Sequence, residues 1–405
     1  MTNNTKTPIN PRVLMFLAPL LNILAGITID LYAPSLPAIA NDMGISASFA
    51  KNMVTMSFIG FGVGQLLIGT LADYYGRRRV LIASLAIYFL VSLSAITCQH
   101  IGPLMVVLFL QGMLAASTSI VGRALMVDTF KGKQLEIGAS YLSIAWGVGP
   151  IIAPFIGGYL QYFWGWHANF YAYASFSGAL LIMSYFFIPE TLTQAIAPKP
   201  AVLASNIKRI FSQRLFMGCV LLMALNYSLF IVFSVVGPFL IQSELGYSSV
   251  VFGHAALTLG IAYFAGTISN RIMQTYISTR TALTLGLIGS LVPTAGMVFA
   301  AEFYQLSLYS LVVPCFVVCF AGGFVFPNAM GKCMSLFPDI AGVAGAIQGG
   351  SVVLLMSLNT FLLSQLKTGS FIAVAGAMLG LSLLQIVIYQ WLMKPKLADT
   401  VDAAV

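Results

Sequence analysis

The sequence predicts an all-α membrane protein of twelve spanning helices in two pseudo-symmetric six-helix bundles, and three observations carry the prediction. Of 405 residues, 59% are hydrophobic and only 7% are charged, whereas an average soluble domain carries about 25% charged residues. Apolar runs of roughly 18 residues or more recur along the chain, each long enough to cross about 30 Å of hydrocarbon. The longest polar stretch, 189–213, has six such runs on either side.

Charges, prolines and glycine clusters break the runs into spans near 12–34, 52–72, 80–98, 103–127, 137–161, 167–188, 215–240, 249–269, 281–300, 305–329, 341–364 and 370–393. The first begins behind Arg12 and ends in Tyr32-Ala33-Pro34 without a small-residue cleavage site, so it is expected to be a retained span. The stretch 189–213 reads as a cytoplasmic linker between an N-terminal bundle, 1–188, and a C-terminal bundle, 214–405. Transporters built from internal repeats place their solute site near the midplane where such halves meet. With the amino terminus inside, sixteen basic residues, among them Arg77, Arg78, Arg79, Lys131, Lys133, Arg209 and Lys332, fall at inner ends or loops, while Lys51 and Lys367 fall outside. That bias follows the positive-inside rule. It predicts a multi-pass protein of a bacterial inner membrane with both termini cytoplasmic.

The formal net charge of +8 is accounted for by those loops and implies no nucleic-acid partner. Cys98, Cys219, Cys315, Cys319 and Cys333 lack metal-type spacing and read as packing residues, so neither metal nor cofactor is expected. No zinc-protease, nucleophile-elbow or phosphate-loop motif is present, which argues against an enzyme and against a nucleotide-driven pump. The expected partners are a small-molecule solute, protons and membrane lipid. Short outer loops suggest a monomer.

The connection after the second span reads Gly69-Thr70-Leu71-Ala72-Asp73-Tyr74-Tyr75-Gly76-Arg77-Arg78-Arg79. An acid ends one helix, Gly76 permits a tight turn, and arginines open the next. This resembles the signature loop of the major facilitator superfamily. The resemblance implies that fold and a gating latch: Asp73 facing the amino-terminal end of the eleventh helix, and Arg77 pairing with Asp128 at the end of the fourth. Arg123, inside the fourth span, is expected to snorkel or to hold Asp128 and the loop. The fifth span carries Gly149, Pro150, Pro154, Gly157 and Gly158, a kinked packing pattern that also resembles the antiporter signature of exporters. Asp30 to Ala40, Arg123 to Asp128, Phe326 to Ala329 and Ile188 to Leu192 together resemble the Bcr/CflA, or bicyclomycin-resistance, branch of drug:proton antiporters. Leu108 and His167 depart from that branch, each standing where it usually has arginine. Leu108 puts in doubt any coupling mechanism that needs a buried arginine there.

Asp30 is the single acid that these boundaries place well inside the membrane. An ionisable group there is costly and marks a functional site, and desolvation brings proton exchange near neutral pH within its reach. A structural carboxylate capping a neighbouring helix is the alternative. The expected mechanism is alternating access in which Asp30 holds a proton or the solute in turn. Candidate cavity residues are Asn22, Tyr32, Gln111, Tyr141, Trp146, Asn226, Tyr227 and Asn328, although each alone reads more readily as interhelical glue. His254 is a possible second proton site. The leading expectation is export of drugs or other small amphiphiles in exchange for protons. A dedicated metabolite or siderophore exporter comes next, and a proton-coupled uptake symporter third.

Overall fold

A computed structural model of the chain describes residues 11–192, 200–366 and 370–393. The first half comprises α1 (Pro11–Asp30), α2 (Leu36–Asp42), α3 (Ala47–Tyr75), α4 (Arg77–Ile96), α5 (Ile101–Thr129), α6 (Lys133–Trp164) and α7 (His167–Phe187). After α8 (Pro200–Ser212), the second half comprises α9 (Arg214–Pro238), α10 (Ser249–Met273), α11 (Thr279–Phe303), α12 (Leu308–Ser335), α13 (Ala341–Ser364) and α14 (Phe371–Ile388). Twelve segments are long and apolar enough to span a membrane, with α1 and α2 forming one of them. They coincide with the twelve expected runs. The segment expected to be a plain linker differs: Pro200 opens a helix that runs to Ser212 and buries Ile210. Proline suits a first helical turn, whose N–H groups lack intrahelical partners in any case. Lys6, Lys199, Lys367, Lys394 and Lys396 lie outside the described residues.

Small residues set the packing within each half. A Cβ on Gly60 or Gly64 of α3 would collide with the α5 backbone at Phe109 or Met113, and one on Gly112 of α5 would collide with Ser57 of α3. Gly266 of α10 and Gly323 of α12 interlock in the same way in the second half. Close backbone approach of this kind is how helices associate in lipid, where the hydrophobic effect does not distinguish neighbour from solvent. Between halves, α3 packs on α13 and α6 packs on α10.

The halves also share a pattern that links sequence to architecture. Leu21-Asn22, Asp30, Pro34 and Leu36 of the first span recur at identical spacing as Leu225-Asn226, Ser234, Pro238 and Leu240 of the seventh. The two spans are therefore equivalents, and they meet across the seam between halves.

Candidate functional site

The end of the molecule bearing Arg77, Lys131, Lys133 and Arg209 is called the basic end below. At the opposite end, neutral acceptors close the seam. Lys51, in the second turn of α3, donates to the Leu366 carbonyl just beyond α13 at 2.8 Å, and Ser48 donates to Ser364 in the same place. Gln242 reaches the Pro34 carbonyl at 2.8 Å, and Ser249 reaches Gly158 at 2.9 Å. Lys51 is 0% exposed. It sits against the carboxyl-terminal carbonyls of α13, where a helix dipole favours a cation.

The glycines and prolines of α6 make the rest of this closure possible. Gly149 lies against Gly26 of α1, and the Pro150 ring packs beside that same glycine. Gly157 takes the Leu31 carbonyl, while Gly158 and the Pro154 carbonyl meet Ser249 and Gly253 of α10. One face of the motif thus docks α1 within its own half, and the other docks the second half.

Asp30 lies just beneath this closure. It is 3% exposed, Ser234 of α9 is its neighbouring hydroxyl across the seam, and its Oδ1 is buried without a partner. Tyr32, Tyr173 and Tyr227 share its electrostatic surroundings, and none of the ion pairs among the described residues involves it. In this conformation the carboxylate is sealed at the seam, where the turn Ala33–Ser35 after α1 packs against α9.

Several other candidates are committed to packing within one half. Tyr32 is fully buried, bonded to Ser57 at 2.9 Å and stacked on Phe170. Gln111 donates to Ser92 of α4 at 2.8 Å. Asn328 bonds Asn270 at 2.8 Å and accepts from Gln274 at 2.7 Å, tying α12 to the end of α10 and the turn after it. These three act as interhelical glue here, because a buried side-chain amide or hydroxyl takes the nearest protein partner. Tyr141 is exposed, at 46%, on the basic-end portion of α6. Asn22 of α1 donates to the Leu142 carbonyl of α6, Asn226 of α9 lies against Gly322 of α12, and Trp146 and Tyr227 stand on α6 and α9. The Trp146 ring is 5.7 Å from Phe61, and the Tyr227 ring is 5.8 Å from Phe230.

At the basic end, Arg77 pairs with Asp128 at 2.9 Å and with Asp73 at 3.5 Å. Asp73 is half-exposed and pairs with Arg77, at the end of α3 that runs along α13, where Gln65 and Leu66 lie against Gly349 and Gly350. Of the two readings of Arg123, its exposed side chain is in keeping with snorkelling, while Asp128 is satisfied by Arg77 and by the Thr191 hydroxyl at 2.7 Å. Arg123 stands five residues before Asp128, so α-helical rotation points the two side chains in different directions. Gly76 supplies the turn at φ +102°, and a Cβ there would strike the Glu190 carboxylate.

Sequence reasoning missed the residue that completes this lock. The Glu190 carboxylate accepts from the Arg77 and Arg78 backbone N–H groups at 2.9 and 3.2 Å, capping α4 where the dipole favours an anion. Arg78 returns the connection through the Ile188 and Tyr185 carbonyls at 2.6 and 2.8 Å. Lys51 and Ser234 were missed as well. The spacing repeat between the first and seventh spans signals Ser234, but no local pattern signals Lys51, whose acceptor lies in the other half.

Comparison with known proteins agrees with this architecture. The model of the Major Facilitator Superfamily matches residues 20–360. Multidrug resistance protein D of Escherichia coli is 28% identical over 79% of this chain and 80% of its own length. A bicyclomycin resistance protein homolog of Haemophilus influenzae is 24% identical over 84% of this chain and 88% of its own. Among solved structures, a D-xylose-proton symporter superposes with a TM-score of 0.73 at 13% identity, covering 92% of this chain and 97% of that one, a likeness of fold. Two six-span halves meeting at a sealed seam, the glycine-arginine loop and this match over most of the chain lead to one conclusion: the chain belongs to the major facilitator superfamily.

Proposed function

We propose that this transporter exports drugs or similar small amphiphiles from the bacterial cytoplasm across the inner membrane, exchanging them for protons by alternating access. The observation that carries the reading is Asp30: a carboxylate within a membrane span, unpaired with any cation among the described residues, at the point where the two halves touch. A buried charge without a partner is costly, so the seam closes over Asp30 most readily once a proton neutralises it. Separation of the halves rehydrates the carboxylate and releases that proton to its new side. The basic end is taken as cytoplasmic, which makes this conformation the one closed to the outside. Export is favoured over uptake by the glycine-proline pattern of α6 and by relatives named for drug and bicyclomycin resistance.

Exchange of one proton for one monovalent cation moves no net charge and draws on about 1.4 kcal/mol per pH unit. Exchange for a neutral solute also draws on membrane potential, at about 2.3 kcal/mol per 100 mV. The test is solute movement in proteoliposomes under an imposed pH gradient, comparing wild type with Asp30→Asn. The variant should lose at least tenfold in gradient-driven transport while keeping gradient-independent exchange. Full proton-driven transport by Asp30→Asn would remove this residue from the coupling mechanism.

A further inference from the structure

Between Glu190 and Glu244 the chain carries no acid, yet Lys199, Lys208, Arg209 and Arg214 fall within that interval. Three of them lie on α8 or directly after it, and the order of its residues makes α8 amphipathic. Ile207 and Phe211 stand one turn apart on a single stripe, Ile210 borders them, and Lys208 points away from Ile210. The apolar arc is wider than the bundle covers. Ile210 is fully buried where α8 packs on α9 and the start of α13, while Ile207 is 36% and Phe211 is 45% exposed. Arg209 is engaged within the fold, pairing with Asp339 and lying over the Phe337 ring, which packs in turn on Phe216. Lys208 and Arg214 are exposed, and none of the ion pairs among the described residues involves either.

Position supplies the partner. Gln213 has extended backbone, at φ −83° and ψ 106°, so the chain turns between α8 and α9 instead of running on as one helix. Arg214 opens the seventh span, which sets α8 at the level where hydrocarbon gives way to headgroups. A helix with bulky apolar side chains on one arc and cations on the other lies in that interface and is attracted to anionic lipid. We propose that α8 is an interfacial anchor for anionic phospholipid at the basic end, with Ile207 and Phe211 laid into the acyl boundary and Lys208 and Arg214 on the headgroup phosphates. Neither the solute nor the coupling ion enters this anchoring. Because α8 is pinned to Phe337 and Asp339 just before α13, lipid charge at the basic end acts on the span that packs against α3 across the seam.

The experiment places the purified full chain in nanodiscs of phosphatidylcholine, alone or with about a third phosphatidylglycerol, and follows amide hydrogen exchange over 204–212. Anionic lipid should slow exchange there about tenfold, and molar salt should remove the difference. Exchange in α12 should be the same in both discs and in every variant, which separates loss of anchoring from loss of fold. Lys208→Gln combined with Arg214→Gln should abolish the dependence on phosphatidylglycerol. Ile207→Ser combined with Phe211→Ser should leave α8 exchanging in both discs at least as fast as wild type in neutral lipid. A spin label on Phe211→Cys, in a Cys98→Ser background, should be relaxed more by oxygen, which concentrates in lipid, than by a water-soluble nickel complex. Equal exchange of wild-type α8 in the two lipids, a lipid dependence that survives the glutamine pair, or a label reached mainly by the nickel complex would overturn the anchor.

Discussion

The two ends of this molecule are held by opposite chemistry. At the basic end, Asp73, Arg77, Arg78, Asp128 and Glu190 pair among themselves and with neighbouring backbone, all within the first half and the segment that follows it. At the opposite end, Ser48, Lys51, Gln242 and Ser249 reach from one half to backbone carbonyls of the other. Charge therefore stiffens a half, and neutral acceptors join the halves. Such bonds contribute about 0.5–1.5 kcal/mol each, and about 1.5–3 where a charged group such as Lys51 takes part, so the seam is held by contacts that a modest binding energy can break and remake.

Two adjacent glycines of α6 give the sharpest way to break that comparison. A Cβ on Gly157 would strike the Leu31 carbonyl within the same half, whereas one on Gly158 would come within 2.6 Å of the Ser249 carbonyl in the other half. Gly157→Val should cost about 3 kcal/mol or more through overpacking and abolish well-folded protein, read by yield and melting temperature. Gly158→Val should fold, because the second half is free to recede. It should expose a cysteine placed at Gln242 to a membrane-impermeant maleimide. Equal melting losses in the two variants would erase the distinction between half and seam.

Lys51 is the next lever. Replacing a buried charge by an apolar group of similar size commonly favours the buried state, whereas an acid against helix-end carbonyls opposes it. Labelling at the same Gln242→Cys site should fall severalfold with Lys51→Met and rise severalfold with Lys51→Glu. Shifts of the same sign would show that Lys51 does not bias the seam.

The smallest effect is expected at the linker. Arg209 of α8 pairs with Asp339 at 2.6 Å and lies 5.4 Å from the centre of the Phe337 ring. The Arg209 hydrogen bond holds the Asp339 carboxyl below its ordinary range. A carboxyl depressed on folding contributes above its unfolded value, and the contribution is lost as pH falls through the depressed one. Docking of α8 should therefore be insensitive to pH near neutrality and weaken only in acid. Asp339→Asn should raise limited proteolysis of the linker no more than twofold at pH 7, since both partners are exposed and screened. A larger change would make this pair a principal fastening of α8.

The spans were legible because lipid imposes a simple rule: a helix that satisfies its own backbone must carry about twenty apolar residues. The Arg77–Asp128 pair was legible through family resemblance. Glu190 belongs to a quoted motif, but its role as a cap to α4 emerges only when α7 delivers it beside Gly76. For Gln111 and Asn328 interhelical glue was the favoured reading, but their partners were not legible, since an amide on a helix looks the same from sequence whether it faces a neighbour or a solute. For Arg123 the choice between its two readings needed direction around the helix, which proximity along the chain does not give.

By itself, the sequence determined what is set by composition and spacing: twelve helices, two halves, a basic end, one acid inside the membrane, and the recurrence of Asn, Asp or Ser, and Pro in the first and seventh spans. Only the tertiary structure decided that Asp30 meets Ser234, that Lys51 is buried against a distant helix end, and that Asn22 donates to Leu142 of α6. Hydropathy acts residue by residue along a chain in lipid, whereas hydrogen-bond satisfaction depends on which helices are brought within about 3 Å of one another.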